Sequence, residues 1–554
     1  MVEVDLLITN GTVLTLDADN KEAKSLGIKA ERIVGIWETA EPSAGEVTML
    51  ENSKIIDLKG STVIPGFIDT HNHILDYSLN KDKVDCSSPL NKNIPDILKG
   101  IKEKTETTAK GEWIEGYSYD DTALEEQRHP TREELDKVTP DHPFYMKHIT
   151  NHFAVANSKA LEMAEIPNDI ENPTGGKFGR DDNGDLNGVL YEFSAMNFVQ
   201  SKIPLPTEEE MIEALRKGAK DYLAEGITTN ADAGVGLFYD GEREFQAHLT
   251  AAKTGVNPMR AQLMIMHHLL REEELFSDYT AEQLNAEIQK RSNGKAQLDS
   301  AKLFQDGSIQ GYTAALREPY FSHPNLEGEV LHEQEDFNEE ILDLHQRGFR
   351  IAIHGNGDRA IGSILTAYEQ ALEETPRKNH LHRIEHVQTA TIDDLNKMKA
   401  LHVTGSVFIN HVYYWGDRHQ KLFLGPERAK RIDPLADMVD RNILTTLHSD
   451  CPVTPISPLF SVWAAVNRLT REGQILGEEQ KVDVITALKM MTIYGAEMNA
   501  TEQFNGSIEI GKVADFAILD KDPTSVAPLE IKDIQVQATI IDGEIVYEKQ
   551  EQNV

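Results

Sequence analysis

Hydrophobic positions change their period twice along this chain. Over residues 2–64 they alternate with polar ones: Val4, Leu6 and Ile8 read as a strand, and 26–30 and 32–36 read as a strand pair. Asn10-Gly11 predicts a type I′ hairpin whose return strand is 12–16. The other end is similar, with a strand at 515–519 and a hairpin through Asp542-Gly543. Both ends are thus β-rich, which predicts one small β-domain assembled from both termini. Residues 81–205 are irregular, with a strand-like 143–149, a helical 158–165 and no visible βα alternation.

The pattern becomes regular after Pro206. Thr207 and Glu210 form a capping-box pair, and Ile212, Leu215, Ala219 and Leu223 recur at helical spacing up to Gly226. Strand-like runs follow at 227–231, 260–266, 301–304, 350–354, 383–387, 403–408 and 443–447. Helical patterns at 336–346, 359–374, 392–400 and 427–440 separate most of the later ones. The run Thr62-Val-Ile-Pro-Gly-Phe-Ile-Asp-Thr-His-Asn-His73 supplies one more strand, for eight in all. Eight strands alternating with helices predict an α/β fold, a closed (β/α)8 TIM barrel with its active site at the C-terminal strand ends. A doubly wound open sheet is the alternative, weakened because no Gly-x-Gly-x-x-Gly or phosphate-binding loop follows a strand. The expected division is 1–64 with 500–554 as a composite β-sandwich domain, 65–80 with 206–499 as the barrel, and 81–205 as an α+β insertion over the active site.

Composition narrows the function. The 554 residues carry 55 Lys+Arg against 92 Asp+Glu, a formal charge of -37. Such a surface repels phosphate backbones and anionic lipid, so neither nucleic acid nor membrane is an expected partner. Two cysteines imply no disulfide framework. The start lacks a basic segment followed by an apolar one, and no apolar run approaches the ~18 residues that span a bilayer. A cytoplasmic protein is expected.

Metal-capable side chains recur where the strands stop. Alternation along a strand puts His71 and His73 on one side, where two imidazoles can grip one divalent cation. Lys302 lies on the fourth strand, His354 and His386 end the fifth and sixth, and Asp450 ends the eighth. One such residue means little, but five strand ends agreeing on one rim define a candidate metal site.

These residues resemble a known family. Pro65-Gly-Phe-Ile-Asp-Thr-His-Asn-His73 is similar to the first-strand signature of the metal-dependent amidohydrolase superfamily. Lys302-Leu-Phe-Gln-Asp-Gly307, His354-Gly-Asn-Gly-Asp-Arg-Ala-Ile361, His382-Arg-Ile-Glu-His386 and Ser449-Asp-Cys-Pro-Val453 resemble the branch that includes N-substituted formamide deformylases, amidohydrolase family 3. Gly506 to Ile518 resembles the superfamily's return into its small β-domain, and Trp113-Ile-Glu-Gly116 and His152 to Ser158 also look like this branch.

The resemblance implies two divalent metal ions, with zinc first among the candidates that histidine-rich sites favour. His71, His73 and Asp450 would hold the more buried ion, and His354 and His386 the more exposed one. Lys302 would bridge them as a carbamate formed with carbon dioxide. The alternative is that Lys302 remains an ammonium paired to Asp306 beside a single metal. A metal-activated hydroxide would attack the carbonyl, with Asp450 as general base and then general acid. The implied activity is hydrolysis of a non-peptide, linear amide of formamide or N-acyl amine type, on a small-molecule substrate. The alternatives are deamination or cyclic-amide opening at the same site, or a regulatory or binding protein that keeps the barrel without turnover. A homodimer is compatible with this reading.

Several residues have weaker assignments. Trp113, Tyr119, His152, Tyr413, Tyr414 and Trp415 either lean over the pocket as substrate-binding groups or pack their own segments. His382 and His448 read as core or supporting residues, Asp358 as an orienter of His354 or a helix cap, and Cys451 as a small buried residue.

Overall fold

The computed structural model describes residues 1–550 apart from 89, 122, 150–152 and 174–175. The chain forms two compact units, Met1–Leu75 with Leu215–Val554, and Asp76–Ala214.

In the larger unit eight parallel strands line up in chain order: Phe67–Asn72, Ile227–Val235, Arg260–Met266, Ala296–Phe304, Ile351–Gly355, Arg383–His386, Thr404–Val407 and Thr445–Leu447. Most of their residues are buried, as expected of parallel strands covered on both faces. The sheet curls until its edges meet. Thr70 Oγ1 on the first strand lies 2.8 Å from Thr446 Oγ1 on the last, and the His73 N–H donates to the Cys451 carbonyl at 2.8 Å. The result is the expected α/β class with a near-closed barrel. All eight predicted strands are present, with ends within a few residues.

The run from Thr62 to His73 divides. Thr62–Pro65 belongs to another sheet and the barrel begins at Phe67. Gly66 sits at the break, where an added Cβ would come within 2.2 Å of the Thr228 side chain. Gly226, with φ +80, reverses the chain into the second barrel strand as expected of a residue just past a helix end.

Strands from both chain ends share one six-stranded sheet. Phe516–Leu519 pairs antiparallel with Thr62–Pro65 on one side and with Val536–Ile541 on the other. A four-stranded sheet holds Arg32–Trp37, Ser25–Lys29, Val2–Thr9 and Val47–Asp57 in that order. Leu6, Ile28 and Ile33 of this sheet and Val13, Val63, Phe516 and Ile540 of the other form one apolar cluster.

Three local expectations are corrected. Asn10-Gly11 makes no hairpin: Val2–Thr9 and Thr12–Leu14 lie in different sheets. A type I′ turn needs positive φ at both central residues, and only Asn10 has it (φ 59), its amide held by Asp57 at 3.0 Å. The single helix expected over 427–440 is two, Gly425–Ala429 and Leu435–Asp440. Asp433 between them has φ 49, and the buried Arg468 guanidinium binds the carbonyls of Ile432 and Asp433, so this backbone is hydrogen-bonded outside a helix.

The third correction concerns the smaller unit, which does alternate. Val84–Asp85, Ile114–Tyr119 and Phe144–His148 are parallel neighbours, with helices Ile94–Thr105 and Arg132–Val138 between them. Phe153–Ala156, Leu186–Tyr191 and Lys177–Arg180 extend the sheet antiparallel. The two-residue first strand is too short to register as a hydrophobic run. Trp113 packs against this unit's own cluster, which includes Tyr145, Leu161 and Phe178.

Candidate metal centre

The C-terminal mouth of the barrel gathers residues from five of its strands. Asp450 Oδ1 lies 3.2 Å from His71 Nε2 and 3.4 Å from His73 Nε2. Ligand atoms about 2.0–2.1 Å from a tetrahedral zinc ion are separated by roughly 3.3 Å, so this spacing suits one small cation. The His386 ring is centred 4.9 Å from that of His71 and 4.4 Å from that of His354. His71, His73, His386, Asp450 and Lys302 are all buried.

Three of the four imidazoles, those of His71, His386 and His354, are held by hydrogen bonds from behind. His71 Nδ1 is 2.6 Å from Glu385 Oε2, and Glu385 is in turn bound by Arg383 Nε at 2.5 Å. An ionised carboxylate only accepts, so the proton sits on Nδ1 and the Nε2 lone pair faces Asp450. Arg383 also reaches Asp299 at 2.6 Å, which balances the buried charges. His386 Nδ1 is 3.2 Å from His448 Nε2, whose Nδ1 is 2.8 Å from Ser406. His354 Nε2 is 3.0 Å from the Gly307 carbonyl, which leaves its Nδ1 as the free nitrogen.

Burial holds His354, His386 and His448 neutral, whereas Asp450 raises His73 against burial. Desolvation pushes His386 and His448 well below the usual imidazole range and His354 down to about 3. Burial also pushes Asp450 upward, but the adjacent His71 and His73 imidazoles outweigh it and hold the carboxyl well below its usual value. Neutral imidazoles and an ionised carboxylate are the forms that bind metals. Lys302 Nζ is fully buried, has no hydrogen-bond partner, and is lowered to about 8 by desolvation. Asp450 Oδ1 and His73 Nδ1 also lack hydrogen-bond partners. The donor set therefore fits a divalent cation, with an amine able to lose its proton beside it. His386 (φ 72) and Asp450 (φ 51) both adopt left-handed backbone conformations, a local cost of the kind that collects at functional sites.

The alternative pairing of Lys302 with Asp306 is not formed. Asp306 accepts backbone N–H groups of Ala315, Asn356 and Gly357 at 2.7–3.0 Å. Asp358 accepts the Arg317 N–H at 2.8 Å; Asn356 is the side chain beside His354, at 2.9 Å. His382 is a core residue, bonded to His345 and stacked on Tyr368, and Cys451 is buried and in no disulfide. Trp415 packs 6.1 Å from Phe408, itself 6.0 Å from His386. Tyr413 and Tyr414 instead pack with Phe460 and under Arg471. His152 lies outside the described residues. Sequence reasoning missed Glu385, Arg383, Asp299, Ser406 and Asn356. Glu385 and Arg383 stand inside the quoted His382–His386 motif, where their type gave a signal; Asp299 and Ser406 had none.

The amidohydrolase family profile matches residues 54–547. The chain belongs to that family, metal-dependent hydrolases acting on carbon–nitrogen bonds. It is 29% identical to the N-substituted formamide deformylase of Arthrobacter pascens over 550 residues, 98% of each chain. It is also 29% identical to Protein LONG AFTER FAR-RED 3 of Arabidopsis thaliana over 558 residues, 99% of this chain and 92% of that one. Among solved structures, an uncharacterized metal-dependent hydrolase from Pyrococcus horikoshii superposes with a TM-score of 0.75 at 24% identity, covering 94% of this chain and 99% of that chain. Among the described residues no helix is long and apolar enough to cross a membrane.

Proposed function

We propose that this chain hydrolyses a linear, non-peptide amide of formamide or N-acyl amine type, adding water across the carbon–nitrogen bond to release a carboxylic acid and an amine. The observation that carries this is the mouth of the barrel. His71, His73, His354, His386, Lys302 and Asp450 converge there as neutral, anionic or proton-labile donors. Similarity to the formamide deformylase over nearly the full length supports the linear-amide substrate class rather than cyclic-amide opening or deamination.

In this reading His71, His73 and Asp450 would hold one divalent ion, with zinc the first candidate, His354 and His386 would hold a second, and Lys302 would serve as a further ligand once converted to a carbamate. A free ammonium has no lone pair, whereas a carbamate is an anionic bidentate ligand; the low proton affinity of the buried Lys302 amine supports that conversion. The metals supply Lewis acidity and lower the pKa of bound water. Asp450, held ionised, accepts the proton of the attacking water and returns it to the leaving nitrogen. Trp415, on the Phe408 side of His386, is a candidate wall for the amine substituent.

We further read 1–64 with 500–554 as a β-sandwich domain, 65–80 with 206–499 as the barrel domain and 81–205 as an insertion. The shared end sheet supports the first of these. Two buried cysteines that form no disulfide support a reducing, cytoplasmic setting. The test is release of amine from a panel of N-substituted formamides, acetamides and cyclic ureas by zinc- and bicarbonate-loaded protein. Turnover confined to the cyclic ureas, or none with any member, overturns the proposal.

A further inference from the structure

The Asp76–Ala214 unit carries its own cluster of metal-capable side chains. The parallel strands Ile114–Tyr119 and Phe144–His148 end side by side, with Tyr119 opposite His148 in the register. The chain leaves the first of these strands through Asp120 and Asp121. Asp121 Oδ1 lies 3.0 Å from His148 Nε2, and Asp120 Oδ1 lies 4.0 Å from the same nitrogen. Ligand atoms of the three residues all fall within 4.8 Å of one another. A second imidazole joins from the loop before helix Arg132–Val138. His129 Nε2 is 4.0 Å from Asp121 Oδ2, while its Nδ1 is 3.0 Å from the Tyr119 hydroxyl.

We propose that Asp120, Asp121, His129 and His148 form a second divalent-metal site, separate in sequence and in structural unit from the barrel centre. The chemistry is that of a small borderline cation. Two imidazole nitrogens and two carboxylates are a donor set used by zinc, and by manganese, cobalt or nickel when water completes the shell. Separations of 3.0–4.0 Å bracket the roughly 3.3 Å between ligands of a tetrahedral ion. The Tyr119 hydroxyl bonds one ring nitrogen of His129 and so turns the other toward Asp121, the indirect support that metal-binding histidines need. Tyr119, Phe153 and Tyr191 wall the cluster, with ring centroids 5.0–6.0 Å from those of His129 or His148. Protonation states agree: desolvation lowers His129, and the His148 hydrogen bond lowers Asp121. The Asp120, Asp121 and His129 side chains keep 16–22% exposure, enough for an ion to enter.

Titration of the full, chelator-stripped chain with cobalt(II) chloride tests this, read by visible d–d absorption and by bound metal after gel filtration. Asp121→Asn/His148→Gln should bind about one equivalent less cobalt than wild type. His71→Ala/His73→Ala, which damages the barrel centre, should retain that equivalent. Tyr119→Phe keeps the ring and loses the hydroxyl, and should weaken this one site about tenfold while leaving the fold intact. That variant decides the matter should the double substitution not fold. Unchanged cobalt stoichiometry in a folded Asp121→Asn/His148→Gln protein, or unchanged affinity in Tyr119→Phe, overturns the proposal and leaves a hydrogen-bonded His–Asp cluster only. Absence of amide hydrolysis would not bear on it, because the readout is binding outside the barrel.

Discussion

His71 and Glu385 are 314 positions apart in sequence, yet their side chains meet at 2.6 Å beneath the mouth of the barrel. The contact joins the first barrel strand to the sixth. It fixes which nitrogen of His71 carries the proton, and so which one is available as a ligand. Glu385→Gln removes the one-way acceptor, because an amide can also donate to Nδ1 and strand the proton on Nε2. The expected result is a 10- to 100-fold loss of zinc affinity, measured by competition with a coloured chelator. An affinity equal to wild type would mean that the pair is only packing.

Asp450 faces both His71 and His73 and is assigned the proton transfers. Asp450→Asn keeps the shape and removes the base. Steady-state turnover on the best amide found in the panel should fall by about 10²–10⁴, with a far-UV circular dichroism spectrum like wild type. Retention of more than a tenth of the rate would move the proton-transfer role elsewhere.

Lys302 has no hydrogen-bond partner for its amine and is the proposed carbamate. Incubation with ¹³C-bicarbonate and zinc should give a carbamate carbon resonance in the wild type that Lys302→Met lacks. The same substitution should reduce bound zinc by about one ion per chain. A wild-type spectrum without that resonance, at full zinc occupancy, refutes the carbamate.

Away from the centre, Glu340 provides a pH test. Burial pushes its carboxyl up, but His267 and Arg271 outweigh burial and hold it at about 2, against an ordinary 4.5. The folded state therefore binds fewer protons than the unfolded state between those values, and stability rises with pH across them. The contribution is complete above about pH 4.5 and is lost as pH falls towards 2. With allowance for solvent screening it is on the order of 1–2 kcal/mol. Urea titrations should show Glu340→Gln less stable by that amount at pH 7, with the gap narrowing below pH 4.5. A gap that does not change with pH would assign the effect to packing.

Local pattern was enough for the regular half of this protein. The eight barrel strands, most of their helices, and the ligand-type residues at the strand ends were legible because each is a short-range signal: a hydrophobic period, a cap, a His or Asp at a fixed place in a run. The smaller unit was less legible. Its strands are as short as Val84–Asp85, so its parallel βαβαβ order emerges only when the strands pair. Asn10-Gly11 failed for a related reason, since the residues after it are captured by Thr62–Pro65 rather than by the strand before it.

Sequence by itself determined the class of chain and the inventory of donors, since side-chain chemistry and periodicity are properties of residues and near neighbours. Tertiary structure alone decided which donors meet and in what state. Burial sets the proton affinities of His354 and Lys302, and partners 314 and 62 residues away, Glu385 for His71 and His448 for His386, set the ring orientations. Desolvation and hydrogen-bond geometry depend on what surrounds an atom in space, and no local stretch of sequence contains that information.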